Sequence, residues 1–150
     1  MKKILLAVII LFASVCSAQQ LQVTYVSDLN IGSIVPGAKK QISENSSDAG
    51  KFVITGNGAV MTVVVSFNFS RTISGTMGDM PVRYTASYST GSGDKQKGTP
   101  FDPYSGTTLS FDGKNREYSI KLGAILNPAA VQTAGVYSSP VIIIINVISN

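Results

Sequence analysis

Apolar and polar residues alternate over short runs along most of this chain. Leu21, Val23 and Tyr25 alternate with Gln22 and Thr24; Val82, Tyr84, Ala86 and Tyr88 with Arg83, Thr85 and Ser87; and Tyr118, Ile120, Leu122 and Ala124 with Glu117, Ser119 and Lys121. A period of two places one set on each face of a pleated strand, so each run predicts a strand with one buried face. Across residues 60–69, Met61, Val63, Val65, Phe67 and Phe69 share one face, assigned to the core. Thr62, Ser66 and Asn68 point the other way with Val60 and Val64. Further extended pieces are expected at residues 29–34, 39–44, 51–55 and 107–111. Pro36-Gly37 is a turn dipeptide. Gly56-Asn57-Gly58-Ala59 and Asp112-Gly113-Lys114-Asn115 each separate two strand-like runs, which predicts two hairpins. Residues 70–81 and 90–106 read as connections, and residues 127–134 as a loop with room for one helical turn after Pro128. The pattern gives about eight short strands and no amphipathic helix, the signature of an all-β antiparallel sandwich.

The last strand-like segment breaks the alternation. Val141, Ile143, Ile145 and Val147 make one face, yet Ile142, Ile144 and Ile148 make the opposite face apolar as well. β-Branched side chains are stiff at χ1 and fit a sheet. A strand apolar on both faces predicts cover on both. That cover comes either from its own molecule, with the strand central in the core, or from an adjoining copy.

Composition adds export. Met1-Lys2-Lys3 precedes an apolar run over residues 4–15, and Ser17-Ala18 precedes Gln19. A basic start, a run too short to span a bilayer and a small residue before the cut predict a signal peptide over residues 1–18. The expected domain organisation is that peptide followed by a single immunoglobulin-like β-sandwich over residues 19–150. The mature chain would keep no cysteine, so no disulfide would staple it. Without Lys2 and Lys3, the 12 basic residues become 10 against 8 acidic, a net charge of +2. So mild a charge argues against a nucleic-acid partner.

Candidate chemistry is sparse. The sequence has no histidine. That excludes Ser-His-Asp and Cys-His catalysis and the usual zinc and copper sites. Gly91-Ser92-Gly93 lacks the Lys-Ser/Thr of a phosphate loop. Asp79, Asp94 and Asp102 lie in predicted loops, where nothing desolvates one carboxylate against another as glycoside hydrolysis needs. No catalytic residue, cofactor or metal is expected, and the chain does not read as an enzyme.

Three short motifs carry a resemblance. They are Leu29-Asn30-Ile31-Gly32-Ser33-Ile34-Val35-Pro36-Gly37, Gly50-Lys51-Phe52-Val53-Ile54-Thr55-Gly56 and Ala134-Gly135-Val136-Tyr137-Ser138. In that order they resemble a bacterial exported family known as domain of unknown function 4402. Ile31 stands where members often carry an aromatic, and Ser149 stands where chaperone–usher pilins carry one. The resemblance implies an immunoglobulin-like sandwich akin to fimbrial subunits and spore-coat-U-type surface proteins, with no established activity. At Tyr137 a tyrosine corner would set the ring on the core and the hydroxyl on a backbone partner.

The expected role is a secreted structural subunit of a surface filament, pilus or coat. Strand addition would use residues 19–26 as donor, presenting Leu21, Val23 and Tyr25. The acceptor would be an edge beside Val141, Ile143 and Ile145. Partners would be copies of the chain or related surface subunits, with no membrane span after signal cleavage. The alternative is a monomeric surface binding or adhesin module. It would present Lys95, Lys97, Phe101 and Tyr104 of the 90–106 loop to a surface glycan or protein.

Overall fold

A computed structural model describes residues 21–58, 60–75, 78–91, 98–132, 135 and 137–149. The expected signal peptide, Lys95 and Lys97 lie outside these residues. Among the described residues every regular element is a strand, and no helix is long and apolar enough to cross a membrane.

The strands are β1 (Leu21–Ser27), β2 (Lys40–Ile42), β3 (Gly50–Gly56), β4 (Met61–Phe69), β5 (Thr72–Gly75) and β6 (Gly78–Thr90). They continue with β7 (Thr99–Phe101), β8 (Thr107–Phe111), β9 (Glu117–Leu126), β10 (Tyr137–Ser138) and β11 (Val141–Ser149). The larger sheet runs β1-β3-β9-β6-β5-β10, with β2 also on β9 and β7 also on β6. The smaller runs β11-β4-β8. All pairings are antiparallel, and the two sheets form a β-sandwich.

The alternating runs become strands with the expected inward residues, but β9 is corrected from one buried face to two, with Ser119 0% and Lys121 6% exposed on its other face. On β9, Tyr118, Ile120, Leu122, Ala124 and Leu126 point inward; on β6, Val82, Tyr84 and Ala86 do. Opposite them, β4 turns in Met61, Val63 and Val65, none more than 2% exposed, and β8 turns in Leu109 and Phe111. Phe67 and Phe69 continue the β4 face and stack at 5.9 Å. Near one end, Phe111 meets the Tyr118 ring edge-on at 5.0 Å, and the Tyr118 hydroxyl donates to the Ser110 carbonyl at 2.7 Å. Burial pushes the Tyr118 phenol upward, with the Asp112 charge adding to it.

Both expected hairpins are crossings between sheets. β3 lies in the large sheet and β4 in the small one, so Asn57-Gly58 carries the chain across the core. Gly58 has the positive φ (78°) that such a turn asks for. β8 and β9 likewise belong to different sheets. The reason is packing: Ile54 on one side and Met61 and Val63 on the other are fully buried and serve as opposing walls of one core. Strands whose apolar faces meet each other cannot also lie side by side. True hairpins occur where the sequence reads as connection. β5 pairs with the start of β6, and β7 pairs back onto Ala86, Ser87 and Tyr88. Residues 29–34 form no strand, although Ile34 is buried and Leu29 and Ile31 pack on the core. After Pro128 the chain makes a turn, with Gln132 N–H donating to the Ala129 carbonyl, and no helix. Tyr137 places its ring on the core, and its hydroxyl accepts from the Gln132 side-chain amide at 2.7 Å.

The Asp112 turn shows what its carboxylate is for. Oδ1 accepts from the backbone N–H of Lys114 (2.7 Å) and Asn115 (2.6 Å). Those bonds, the Asn115 one foremost, hold the carboxyl below its ordinary value. A group with a depressed folded-state pKa stabilises the fold above its unfolded value, about 3.9, and loses that contribution as pH falls through the folded value. Asp112→Ala is therefore expected to lower stability at pH 7 while narrowing the difference from the unsubstituted protein below pH 4. Urea titrations at both pH values check this.

Candidate functional site

β11 is an edge strand. It pairs with β4 from Val141↔Phe69 to Val147↔Val63, with a register shift before Ser149. Among the described residues no strand pairs with its other side. The inward face behaves as expected: Val141, Ile143 and Ile145 are half-buried against the core. The outward face is bare, with Ile142 54%, Ile144 39% and Ile148 59% exposed, and Val147, from the inward set, is 49% exposed. The expectation of a central strand sheltered on both faces is thus corrected. The chain supplies one wall of cover, and its neighbours on the outer surface are Asn68, Ser66 and Val64 of β4.

β1 is the edge of the other sheet. The donor segment pairs within its own chain, from Leu21↔Gly56 to Ser27↔Lys51, with an irregularity between Tyr25 and Ser27. Leu21, Val23 and Tyr25 occupy the inward face beside Gly56, Ile54 and Phe52. Little covers them there: Val23 is 43% and Tyr25 55% exposed. Tyr25 meets Phe52 edge-on at 6.0 Å, and Phe52 reaches Phe67 of the opposite sheet at 6.3 Å. A hydrogen bond with Asp28 raises the Tyr25 phenol above its ordinary value.

The two edges flank one opening in the sandwich. A cavity of about 330 Å³ is walled by Tyr25 and Ser27 of β1, Phe52 of β3, Leu122 of β9, and Pro140 and Val141 at the start of β11. An apolar cleft bounded by unpaired backbone offers hydrogen bonds along its rim and pockets for alternate side chains. Neither rim carries Lys, Arg, Asp, Glu or Pro within the strand itself. Such residues are how natural sheets discourage edge pairing. Elsewhere β2 carries Lys40 and β7 carries Pro100, β10 has two residues, and β8 has five.

No protein-family model matches the sequence, and no curated protein matches it either.

Of the candidates in the 90–106 loop, the described residues Phe101 and Tyr104 both make internal contacts. Phe101 turns inward and packs near Phe67 (6.4 Å) and Tyr88 (6.1 Å). Tyr104 stands edge-on to Phe69 at 4.9 Å, and its hydroxyl accepts from the Tyr84 backbone N–H at 3.1 Å. Asp102 caps the turn between them, accepting from Tyr104 N–H and the Ser105 hydroxyl. Both aromatics therefore pack on the sandwich, and Tyr104 keeps 36% of its surface exposed.

Proposed function

We propose that the protein is an exported structural subunit of a bacterial surface filament, pilus or coat, assembled by strand addition at the β11 edge. The observation that carries this reading is the β11 edge itself: nine residues long, uncharged, apolar on both faces and, among the described residues, unpaired on one side. The donor is β1 of the next copy. It is loosely held, since five of its seven residues are exposed and backbone bonds to β3 account for most of its attachment. Leaving its own β3 would bare Phe52 beside the same opening, so a subunit that gives its strand away gains apolar surface for the strand it receives. The three motifs that resemble the exported domain-4402 family agree with the same surface role.

Sedimentation and electron microscopy of the purified mature chain, residues 19–150, test the proposal. The expected result is concentration-dependent oligomers that become fibres or regular particles, and their loss on deletion of residues 19–26. A chain that stays monomeric at every concentration, and is merely destabilised by the deletion, overturns it.

A further inference from the structure

We propose that filaments of this protein associate in pairs, the outer face of the small sheet in one subunit packing on the same face of a subunit in the neighbouring filament. The inference rests on the strand-addition reading and adds a second, separate contact between copies. The observation behind it is a segregation of charge. β4, β8 and β11 contain no Lys, Arg, Asp or Glu. The strands of the large sheet do carry them, with Lys40, Lys51, Asp79, Arg83 and Glu117 among them. Charges of both signs on an outer surface keep molecules soluble and apart. A surface without them has the composition of an interface core.

The side chains on this face are short. Asn146, Val64 and Thr108 form one row across the three strands, and Ile142, Ile144 and Ile148 run exposed along the β11 margin. Small and β-branched side chains let two sheets approach to about 10 Å face to face. At about 4.8 Å between strands and about 3.4 Å per residue, the three strands make a face of about 400 Å². A β1 strand joined at β11 with Leu21, Val23 and Tyr25 inward would set Gln22, Thr24 and Val26 beside this face, again uncharged. It would bring the face to about 500 Å². Two such faces bury about 1,000 Å², short of the roughly 1,200–2,000 Å² of a stable complex. One contact is therefore too small to hold two free subunits. Repeated along two filaments, the contacts act together and hold.

The uncharged character selects the occupant. A charged partner would lose hydration here and gain no ion pair in return. Surfaces that lie on lipid join lysine, arginine or tryptophan to their apolar residues. These three strands have no cation, and the chain has no tryptophan. A second copy brings an uncharged face of the same length. A two-fold axis running across the strands at Ile145 lays β11 on β11, so that Ile142 faces Ile148, and it lays β8 on β8. The face is thus its own complement, as an isologous contact requires.

The test substitutes Thr108→Lys and Ser110→Lys together in the mature chain. Both residues are exposed on β8, which β4 separates from the β11 edge, so folding and strand joining should be untouched. Filaments are measured by electron microscopy, with a melting curve for each variant. The expected result is double-width filaments from the parent and single ones, at half the width, from the lysine variant at the parent's melting temperature. Mixing these with filaments carrying Thr108→Glu and Ser110→Glu should restore the double width, because β8 then meets β8 with opposite charge. Single filaments from the parent overturn the inference and leave strand addition standing; no filaments at all overturn both. Pairing that survives the lysines, or no recovery on mixing, also counts against it. Flotation of the parent with phosphatidylcholine vesicles, lost in the lysine variant, would assign the face to a lipid surface and overturn it as well.

Discussion

Ile142→Lys and Ile144→Lys, introduced together, are expected to abolish assembly while leaving a folded monomer. Both side chains point away from the core, at 54% and 39% exposure, so neither lysine has to be buried in the monomer. Surface substitutions of this kind usually change stability by about 0.5 kcal/mol or less. An added strand changes the situation. Its backbone would pair with β11, and its own side chains would flank these positions on the outer face, where lysine would be crowded and partly desolvated. Inward-pointing or edge lysine is the device natural sheets use against edge pairing, and β11 lacks it. The readout is the sedimentation profile across a wide concentration range beside the thermal melting curve. A doubly substituted chain that melts like the parent yet still forms the parent's oligomers would show that β11 is not the joining edge. Ile143→Lys would be a poor substitute, because that side chain packs on the core and its loss would confuse folding with assembly.

The largest stability effect is expected at Phe111. Its side chain is 1% exposed and is held edge-on by Tyr118 at 5.0 Å and by the close approach of the Gly56 backbone. A Cβ at Gly56 would meet the Phe111 ring at 2.6 Å, so the ring uses space that any other residue there would fill. Phe111→Ala should cost about 3–5 kcal/mol, because the Tyr118 hydroxyl bond to Ser110 stops the neighbouring ring from collapsing into the void. Against a total of about 5–15 kcal/mol for a domain, that is a large fraction. Urea denaturation should show the midpoint falling with little change in slope. Gly56→Ala gives a second measurement. It should destabilise the parent, but cost much less in the Phe111→Ala background, where the obstructing ring is gone. Additive effects would mean the two positions are not in contact.

How far the sequence reveals this architecture depends on what each pattern reports. Period-two alternation reports which face of a strand is buried, and it identified the inward residues of β4, β6 and β9 correctly. It does not report the neighbour in the sheet. Asn57-Gly58 and Asp112-Gly113 announce a change of direction, and both deliver it. Whether the chain then lies beside the preceding strand or across from it is decided by Ile54, Met61 and Val63 meeting in one core, a tertiary fact. β5 was illegible for the opposite reason. Glycine, serine and Pro81 surround it, and its pairing depends on the long β6 beside it. The apolar outer face of β11 was plain in its isoleucines, but exposure is a property of what lies alongside, which no single segment encodes. The same holds for Phe101 and Tyr104: their residue types suggest contact, and only Phe67, Phe69 and the Tyr84 amide show that the contact is internal.

The pairing of β11 with β4 also constrains how the chain acquires its shape. Val64 and Asn146 are partners separated by about eighty residues, so the small sheet forms only after a long loop closes. Contacts of such sequence separation slow folding. Until closure, the apolar face of β4, with Val63, Val65 and Phe67, has nothing on its β11 side, and a nascent molecule is at its stickiest. Under the proposed strand-addition assembly, the speed of this closure sets when the β11 edge first exists for a neighbour to join.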